Sequence, residues 1–317
     1  MALNPAPRNR TIVLTDEEFP LLQNQLVYIH EDQVSLPHIM DQIVCGDSLL
    51  ILPKLPAEFA DLIIVDPPYN LTKKFGDQFF TKRSFNDYVT YLHSWFSAVV
   101  ACLKPTGSIY VCCDWQSTAA VQMVMSEYVT VLNRITWQRE KGRGAASNWK
   151  NGMEDIWFGV KDPKHYYFNV EAVKIKRKVI APYRQNGEPK DWQATEDGNF
   201  RITHPSNFWD DITVPYWSMR ENTEHPTQKP EKLIAKLILS GTKEGDVVFD
   251  PFLGSGTTAV VAKKLHRHFC GIEMNETYGC LAQKRLALAD VDATIQGYED
   301  GMFWERNTLN HKLKKQK

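Results

Sequence analysis

Apolar strands and amphipathic helices alternate in the first half of the chain, after a polar start. From Gln42 the segment IVCG predicts a strand, DSLLILPKL a helix and DLIIVDPP a second strand. Residues 84–103 carry apolar side chains at helical spacing, LKPTGSIYVCC predicts another strand, and 118–128 predict a short helix. Because strands that alternate with helices form parallel sheets covered on both faces, this pattern predicts an α/β fold.

The same rhythm returns near the C-terminal end of the chain. EKLIAKLILSG predicts a helix, DVVFD a strand and PFLGSGTT a glycine turn, and a helix is expected to begin at Thr257. HFCGIE then predicts a strand that ends in an acid, and CLAQKRLALADV a closing helix. Together the two stretches predict a doubly wound, mostly parallel sheet.

Between about residues 139 and 222 the periodicity fails, because aromatic, basic and turn-forming residues mix without regular spacing. We interpret this stretch as an inserted lobe of loops and short strands. The chain then divides into an N-terminal extension (1–38), a first α/β half (39–138), the lobe (139–222), a second α/β half (223–290) and a C-terminal tail (291–317). We expect the extension to pack on the surface or to cross to a partner subunit, and the lysine-rich end of the tail to be frayed.

Composition is that of an ordinary globular protein. The 317 residues are 43% hydrophobic and 24% charged, which is enough apolar material for a full core. No apolar run approaches the roughly 20 residues of a membrane span, and the N-terminal residues lack the apolar segment of a secretory signal. We therefore expect a cytoplasmic protein without a membrane partner. The six cysteines lie in apolar stretches without C-x-x-C spacing, which predicts reduced core thiols and no metal site.

Charge is distributed unevenly although the formal net charge is only -1. Residues 134–190 contain 13 Lys and Arg against 6 Asp and Glu, an excess of 7 that the rest of the chain offsets. Such a segment is typical of a surface that meets a polyanion, although a solvated basic face would have the same composition.

The glycine turn indicates a ligand site. An acid, Asp250, ends a predicted strand and is followed by Gly254, Gly256 and a helix start, the arrangement that lies under a nucleoside cofactor in doubly wound sheets. Glycines let a ligand approach the backbone closely. Glu273 ends the next strand, where an acid commonly holds ribose hydroxyls. The alternative is that the glycines only permit tight helix packing.

A second candidate site is the sequence DPPY at residues 66–69. Asp66 follows a predicted strand at the same edge of the sheet as the glycine turn. Pro67 and Pro68 fix the backbone and remove two donors, so that carbonyl oxygens point outward as acceptors. A carboxylate and a carbonyl beside the ring of Tyr69 would suit a planar group that carries an NH2, such as a nucleobase.

The combination of DPPY, F-x-G-x-G (Phe252, Gly254, Gly256) and HPTQKPEKL (225–233) resembles the S-adenosylmethionine-dependent DNA amino-methyltransferases of restriction–modification systems. The order DPPY, variable lobe, HPTQKP and F-x-G-x-G is similar to that of the β class. The resemblance covers roughly residues 40–290. It implies the Rossmann-like class I methyltransferase fold, in which 39–138 is the catalytic half, 139–222 the target-recognition lobe and 223–290 the cofactor-binding half.

The resemblance also implies roles for individual residues. A flipped adenine would stack on Tyr69 while the Asp66 carboxylate and the Pro67 carbonyl accept its N6 hydrogens. Asp250 would meet the amino group of the cofactor's methionine part and Glu273 its ribose. Asp47 would approach the cofactor's adenine, although an Asp after a strand is as often a helix N-cap. The glycine turn would supply further cofactor contacts from Phe252, Leu253, Gly254, Ser255, Gly256 and Thr257. Thr227 and Lys229 of HPTQKP would contact the cofactor carboxylate, unless this segment only forms a turn before the next helix.

The partner implied by the resemblance is double-stranded DNA. We expect phosphate contacts from basic residues of the lobe, with a solvated basic surface as the alternative. These residues are Arg139, Lys141, Arg143, Lys174, Lys176, Arg177 and Lys178.

Several interpretations stay open at this point. Cytosine N4 offers the same kind of amine as adenine N6, although family members that modify cytosine tend to have Ser at the first position, so Asp66 favours adenine. A DNA-binding protein that has lost its activity is a second alternative, and methylation of RNA or of protein glutamine is a third. A homodimer and a cognate endonuclease that shares the same site are compatible with the sequence.

Overall fold

A central sheet of eight strands organises the protein in the computed structural model, which describes residues 8–75, 78–139, 148–179, 183–195 and 198–306. The strands of these residues are β1 (Gln42–Cys45), β2 (Ala60–Val65), β3 (Lys73–Phe75), β4 (Gln78–Phe80), β5 (Leu103–Cys113), β6 (Thr130–Gln138), β7 (Met153–Val160), β8 (Ile175–Lys178), β9 (Arg184–Gln185), β10 (Glu188–Pro189), β11 (Gln193–Thr195), β12 (Gly198–Thr203), β13 (Phe208–Trp209), β14 (Val247–Asp250), β15 (His268–Glu273), β16 (Tyr298–Glu299) and β17 (Met302–Trp304). The helices are α1 (Glu18–Gln23), α2 (Leu36–Ile39), α3 (Ser48–Ile51), α4 (Phe85–Ala101), α5 (Thr118–Tyr128), α6 (Glu231–Gly241), α7 (Thr257–Lys264) and α8 (Glu276–Val291). The central sheet has the order β1-β15-β14-β2-β5-β7-β6-β13.

In that order each strand from β1 through β15, β14 and β2 is parallel to the next, as far as β5. Their side chains alternate between two cores, because successive residues of a strand point to opposite faces. Leu62 and Ile64 pack with residues of α6, α7 and α8, whereas Ile63 and Val65 pack with residues of α4 and α5. The helices cover both faces, which confirms the predicted doubly wound α/β fold.

The antiparallel edge of the sheet contains strands that the sequence did not predict. β7 pairs antiparallel with β5 and β6, and β13 pairs parallel with β6. Both β7 and β13 lie within 139–222, so the assignment of that whole stretch to a separate lobe is wrong for these two segments. The run MEDIWFGV is buried along nearly its whole length, so it lacks the polar and apolar alternation that would have marked it as a strand.

A second sheet joins the inserted stretch to the C-terminal end, with the order β11-β12-β8-β17-β16. β17 lies parallel to β8, with Phe303 opposite Ile175. The prediction of a C-terminal tail is therefore wrong for residues 298–304. They are held because Phe303 is fully buried in the core. The lysine-rich end, 307–317, lies outside the described residues.

The described part of the N-terminal extension, residues 8–38, packs on its own chain. Ile12 forms a β-bridge with Thr223, and Val27 forms one with Val44. Leu22 of α1 packs on the core that includes Cys280 of α8. This is the first of the two arrangements expected for residues 1–38.

All six cysteines are buried free thiols, which confirms the prediction of core positions. Among the described residues, none of the helices combines the length and the apolar character that crossing a membrane requires.

Candidate active site

A cavity of about 460 Å³ lies at the carboxyl ends of the central parallel strands, where the two α/β halves meet. Asp66 follows β2, Asp250 ends β14 and Glu273 ends β15, so parallel pairing brings all three acids to one edge of the sheet. The predicted site residues that line the cavity are Asp47, Asp66, Pro67, Pro68, Tyr69, Arg139, Thr227, Lys229, Asp250, Phe252, Leu253, Gly254, Ser255, Thr257 and Glu273. The DPPY loop and the glycine turn therefore share one cavity.

The glycine turn contains a buried carboxyl group with neutral donors. Asp250 is 3% exposed and accepts hydrogen bonds from the Phe252 N–H at 3.0 Å and the Thr258 hydroxyl at 2.5 Å. Burial raises the pKa of Asp250 to about 7. This carboxyl group is therefore poised to ionise when a positively charged ligand arrives.

Glu273 fastens the turn from the next strand. Its Oε2 accepts a hydrogen bond from the Gly254 N–H at 2.7 Å and its Oε1 one from the Asn275 N–H at 2.8 Å. Burial raises the pKa of Glu273 to about 7 as well. Each oxygen keeps a second lone pair with which a ligand hydroxyl could be bound.

The two glycines of the turn have different tasks. Gly254 has φ +59° and lines the cavity, and a Cβ there would lie 3.1 Å from Nε2 of His225. Gly256 has φ +82°, and a Cβ there would collide with Ala282 of α8. Gly256 lies outside the cavity lining, so its predicted cofactor contact is replaced by the alternative reading of close helix packing.

A buried arginine that we did not predict supports the turn from behind. Arg285 of α8 is 2% exposed and donates to the Ser255 carbonyl at 2.8 Å and to Oγ1 of Thr257 at 3.0 Å. Its other terminal nitrogen donates to Glu231 at 3.1 Å. The helical pattern of CLAQKRLALADV predicts that one face is buried, but it does not show that this face points at the turn.

Asp66 and Tyr69 are joined within the DPPY loop, since the Tyr69 hydroxyl donates to Oδ1 of Asp66 at 2.9 Å. Burial, followed by the charge of Asp66, raises the pKa of Tyr69 well above its usual value, so the phenol remains protonated. The loop itself is rigid: the Tyr88 hydroxyl donates to the Pro68 carbonyl at 3.1 Å, and Asn70 exchanges two hydrogen bonds with the backbone of Arg83. No backbone N–H in the turns and loops that the structure describes donates to the Pro67 carbonyl.

Lys229 faces this loop rather than the glycine turn. Its ammonium lies 2.6 Å from Oδ2 of Asp66 and 3.5 Å from Oε2 of Glu154. Lys229 was predicted to contact the cofactor carboxylate; here its ammonium forms an ion pair, because a lysine only 8% exposed requires a negative partner. Burial lowers the pKa of Lys229, but the two carboxylates outweigh it and raise the pKa above its usual value.

Glu154 on β7 completes a charged network that the sequence did not reveal. It is 5% exposed, and Arg139 donates to its Oε1. Arg139, which we predicted as a phosphate contact, therefore points into the cavity. The signal for Glu154 was an acid within the apolar run MEDIWFGV, and only the pairing of β7 with β5 brings it to Tyr69.

His225, the first residue of HPTQKP, lies between the glycine turn and α8. Its ring stands edge-on to Tyr278 with centroids 4.5 Å apart. Burial lowers the pKa of His225 to about 3, so the imidazole is neutral. The backbone N–H of Thr227 donates to its Nδ1 at 3.4 Å, which places Thr227 at the cavity wall.

Asp47 serves as a helix N-cap at the cavity edge. Its Oδ1 accepts the Leu49 N–H at 2.9 Å at the start of α3, so the alternative reading for this residue is correct while its place at the cavity wall is kept.

The basic run on β8 lies away from this cavity, in the second sheet. Lys174 pairs with Glu171 at 2.5 Å. Arg177 lies 3.5 Å from a carboxylate of Glu305, and the Lys176 ammonium lies 4.3 Å from the centroid of the Trp304 ring. Lys178 is the exposed member of the run. Lys141 and Arg143 lie outside the described residues.

Known proteins are similar to this chain in sequence and in fold. The sequence model of a family described as DNA methylase matches residues 60–284. Type II methyltransferase M.HpaI of Haemophilus parainfluenzae is 33% identical over 263 residues, which cover 82% of this chain and 77% of that protein. DNA adenine methyltransferase YhdJ of Escherichia coli (strain K12) is 35% identical over 259 residues, which cover 78% of this chain and 83% of that protein.

Solved structures agree at the level of the fold. A structure described as PvuII DNA methyltransferase (cytosine-N4-specific) superposes with a TM-score of 0.57 at 19% identity, covering 81% of this chain and 87% of that chain. The M1.HpyAVI–SAM complex superposes with a TM-score of 0.53 at 24% identity, covering 77% of this chain and 98% of that chain. The family model matches most of the length of this chain, which therefore belongs to the DNA methylases.

Proposed function

We propose that this protein transfers a methyl group from S-adenosylmethionine to N6 of an adenine flipped out of duplex DNA. The observation that carries the proposal is the corner formed by the Asp66 carboxylate, the Pro67 carbonyl and the Tyr69 ring at the wall of the cavity. An exocyclic amine has two hydrogens, and this corner offers two rigid acceptors beside an aromatic face.

S-adenosylmethionine, when bound, supplies a methyl group on a positively charged sulfur that an amine lone pair can attack. The residues present fit such a ligand. Asp250 and Glu273 are buried carboxyl groups held by neutral donors, so a ligand with a cationic amino group and ribose hydroxyls would satisfy both. Gly254 leaves room for close approach to the backbone. We assign the remaining contacts to the turn and its surroundings: Phe252, Leu253, Ser255, Thr257, Asp47 and Thr227.

The base must leave the stack because N6 is unreachable inside the duplex. We infer that it stacks on Tyr69 while Asp66 and Pro67 accept the two N6 hydrogens. These contacts draw the nitrogen lone pair out of conjugation with the ring. The nitrogen forms a bond to the methyl group while the bond from that methyl to sulfur breaks and its electron pair stays on sulfur. The nitrogen then loses one proton, for which we assign Asp66 as the acceptor. Fixed acceptors and positioning then account for the acceleration.

For the DNA backbone we propose phosphate contacts from the basic residues of the inserted stretch. Lys178 is exposed and available at once. Lys174 and Arg177 would first exchange their carboxylate partners within the protein for phosphates. Membership of a restriction–modification system, a cognate endonuclease and a homodimer stay predictions.

Cytosine N4 is the second candidate target. Its amine presents the same two hydrogens to Asp66 and Pro67, and the structural neighbour with a TM-score of 0.57 is described as cytosine-N4-specific. Asp at position 66 favours adenine by family resemblance.

Transfer of labelled methyl from S-adenosylmethionine to duplex DNA, followed by digestion to nucleosides, tests the proposal. We expect label in N6-methyladenine. Label in N4-methylcytosine would replace the target base, and no label with the cofactor still bound would overturn the proposal. Asp66→Ala should slow transfer by about 10²- to 10³-fold, the effect of removing one preorganised polar group from an active site. Its affinity for S-adenosylmethionine should stay within about threefold, since Asp66 is placed on the base rather than on the cofactor.

A further inference from the structure

A second buried carboxylate stands beside the amine-binding corner, and the reaction proposed above does not use it. Oε2 of Glu154 lies 3.2 Å from the Tyr69 hydroxyl oxygen, while Oδ1 of Asp66 lies 2.9 Å from the same atom. A phenol has one proton and can donate one strong hydrogen bond at a time. Tyr69 therefore has two carboxylate acceptors within reach and can satisfy only one.

Both oxygens of Asp66 are engaged in the described structure. Oδ1 accepts from Tyr69, and Oδ2 accepts from Lys229 at 2.6 Å. A carboxylate oxygen can accept more than one donor, but each donor draws on the same charge and weakens the acceptor for the next. An incoming amine would thus meet a weakened Asp66 unless one of the present donors leaves.

The Tyr69 hydroxyl is the donor that can leave without moving its side chain. Rotation about the bond between the ring and the hydroxyl oxygen redirects the proton from Asp66 to Glu154 while the ring stays in place for stacking. Lys229 lacks this freedom, because its buried ammonium is the cation that both carboxylates share. Arg139 and Lys229 balance the charge of Glu154 and keep it suited to receive a proton donor.

We propose that Glu154 is a positioning residue that takes over the Tyr69 hydrogen bond when the target amine binds, leaving Oδ1 of Asp66 to the amine. The proposal rests on the proposed function, since it concerns the same amine-binding corner. It applies equally to adenine N6 and cytosine N4, because both amines need the same oxygen.

Single-turnover methyl transfer to duplex DNA tests the exchange in four proteins, which are the wild type, Glu154→Leu, Tyr69→Phe and the double variant. We expect Glu154→Leu to slow transfer by roughly ten- to a hundredfold, as for the loss of a hydrogen bond to a charged group. With Tyr69→Phe no hydroxyl competes for Asp66, so adding Glu154→Leu should slow transfer by about threefold or less relative to Tyr69→Phe alone.

The overturning result is a Glu154→Leu loss of equal size in both backgrounds. Such a loss would mean that Glu154 only balances the charges of Arg139 and Lys229, which Tyr69→Phe leaves unchanged. Asp155→Asn is the matched control, because Asp155 is the next residue of β7 and its Oδ1 accepts from Thr136 at 2.8 Å. It should stay within about twofold of the wild type, as expected for a site that shares no partner with Tyr69.

Glu154→Gln provides a second cycle if Glu154→Leu does not fold. Its single amide oxygen would be contested by Arg139 and Lys229, so we expect a smaller loss that Tyr69→Phe again suppresses. Failure of the proposed function is read separately, from the nucleoside that the wild type labels. A wild type that labels no nucleoside overturns both, whereas a labelling wild type with equal losses overturns the exchange alone.

Discussion

Asp250 and Glu273, on the glycine-turn side of the cavity, accept hydrogen bonds from neutral backbone and hydroxyl donors. Asp66 and Glu154, on the DPPY side, lie beside the cation Lys229. Burial raises the pKa of the first pair to about 7. One cavity thus contains two pairs of carboxyl groups, of which one pair has neutral hydrogen-bond donors and the other has a cationic partner.

The difference shows which side awaits charge from a ligand. Within the part of the chain that the structure describes, the hydrogen-bond donors to Asp250 and Glu273 are all neutral, so a positively charged cofactor would complete the glycine-turn side. The DPPY side is already balanced, which suits a neutral base whose amine needs acceptors but brings no charge. We therefore expect charge recognition and amine recognition to lie on separate walls of one cavity.

Removal of the Lys229 ammonium, the cation that Asp66 and Glu154 share, should have the largest effect on the difference between the two sides of the cavity. Lys229→Met would leave Asp66 and Glu154 buried without the cation between them, so we expect the free energy of unfolding to fall by about 3 kcal/mol. Methyl transfer by the folded variant should drop at least about tenfold, because repulsion displaces Asp66. Chemical denaturation and single-turnover transfer measure the two effects.

Lys236→Met is the control for this prediction. Lys236 is also buried and pairs with Asp211 at 2.7 Å, but it lies outside the lining of the cavity. It should lower stability and leave the transfer rate of the folded protein within about twofold, as expected for an uncoupled site. A Lys229→Met variant as stable and as fast as the wild type would show that the DPPY side needs no internal cation.

The glycine-turn side can be tested at its backbone. Gly256→Ala combines a positive φ with a collision against Ala282, so we expect a loss of about 2 to 4 kcal/mol in the free energy of unfolding. Gly254→Ala meets only the side chain of His225 and should cost about 1 kcal/mol. Gly254→Ala should weaken cofactor binding more than Gly256→Ala does, although it costs less stability, because only Gly254 of the two lines the cavity.

Thermal denaturation with and without S-adenosylmethionine separates these effects. Stabilisation by the ligand should be diminished in Gly254→Ala and kept in Gly256→Ala. The reverse order would place Gly256 in the binding site and restore the reading from the sequence.

The pH dependence of cofactor binding tests the difference between the glycine-turn side and the DPPY side through the smallest of the expected effects. Above about pH 7 Asp250 and Glu273 are ionised and attract a positive ligand, whereas below it they bind protons that must leave first. We expect affinity for S-adenosylmethionine to fall as the pH drops from 7 to 6, by about fivefold for each carboxyl group that must release its proton. Titration calorimetry measures it.

Asp250→Asn should flatten that dependence because one titrating group is gone. A wild-type affinity that is constant between pH 6 and 8 would mean that neither carboxyl group titrates on binding, and the contrast between the two sides of the cavity would then be lost.

The sequence alone was sufficient for much of the fold. The 3.6-residue period of α4 and the apolar runs of β2 and β14 identified helices and strands, because local periodicity reports which face is buried. It was insufficient for β7, since a strand buried on both faces has no alternation, and for β17, since this short strand is held in its sheet by β8, which is distant in sequence.

For the site, the sequence by itself determined that Asp66, Tyr69, Asp250 and Glu273 would meet at one edge, because acids at the ends of parallel strands must do so. Only the tertiary structure decided what surrounds them. Lys229 forms an ion pair with Asp66, and Gly256 packs against α8. Glu154, 85 positions after Tyr69 in the sequence, lies within hydrogen-bond distance of its hydroxyl. These contacts depend on the pairing and packing of distant segments, and buried charge is placed by the partners that folding brings within reach.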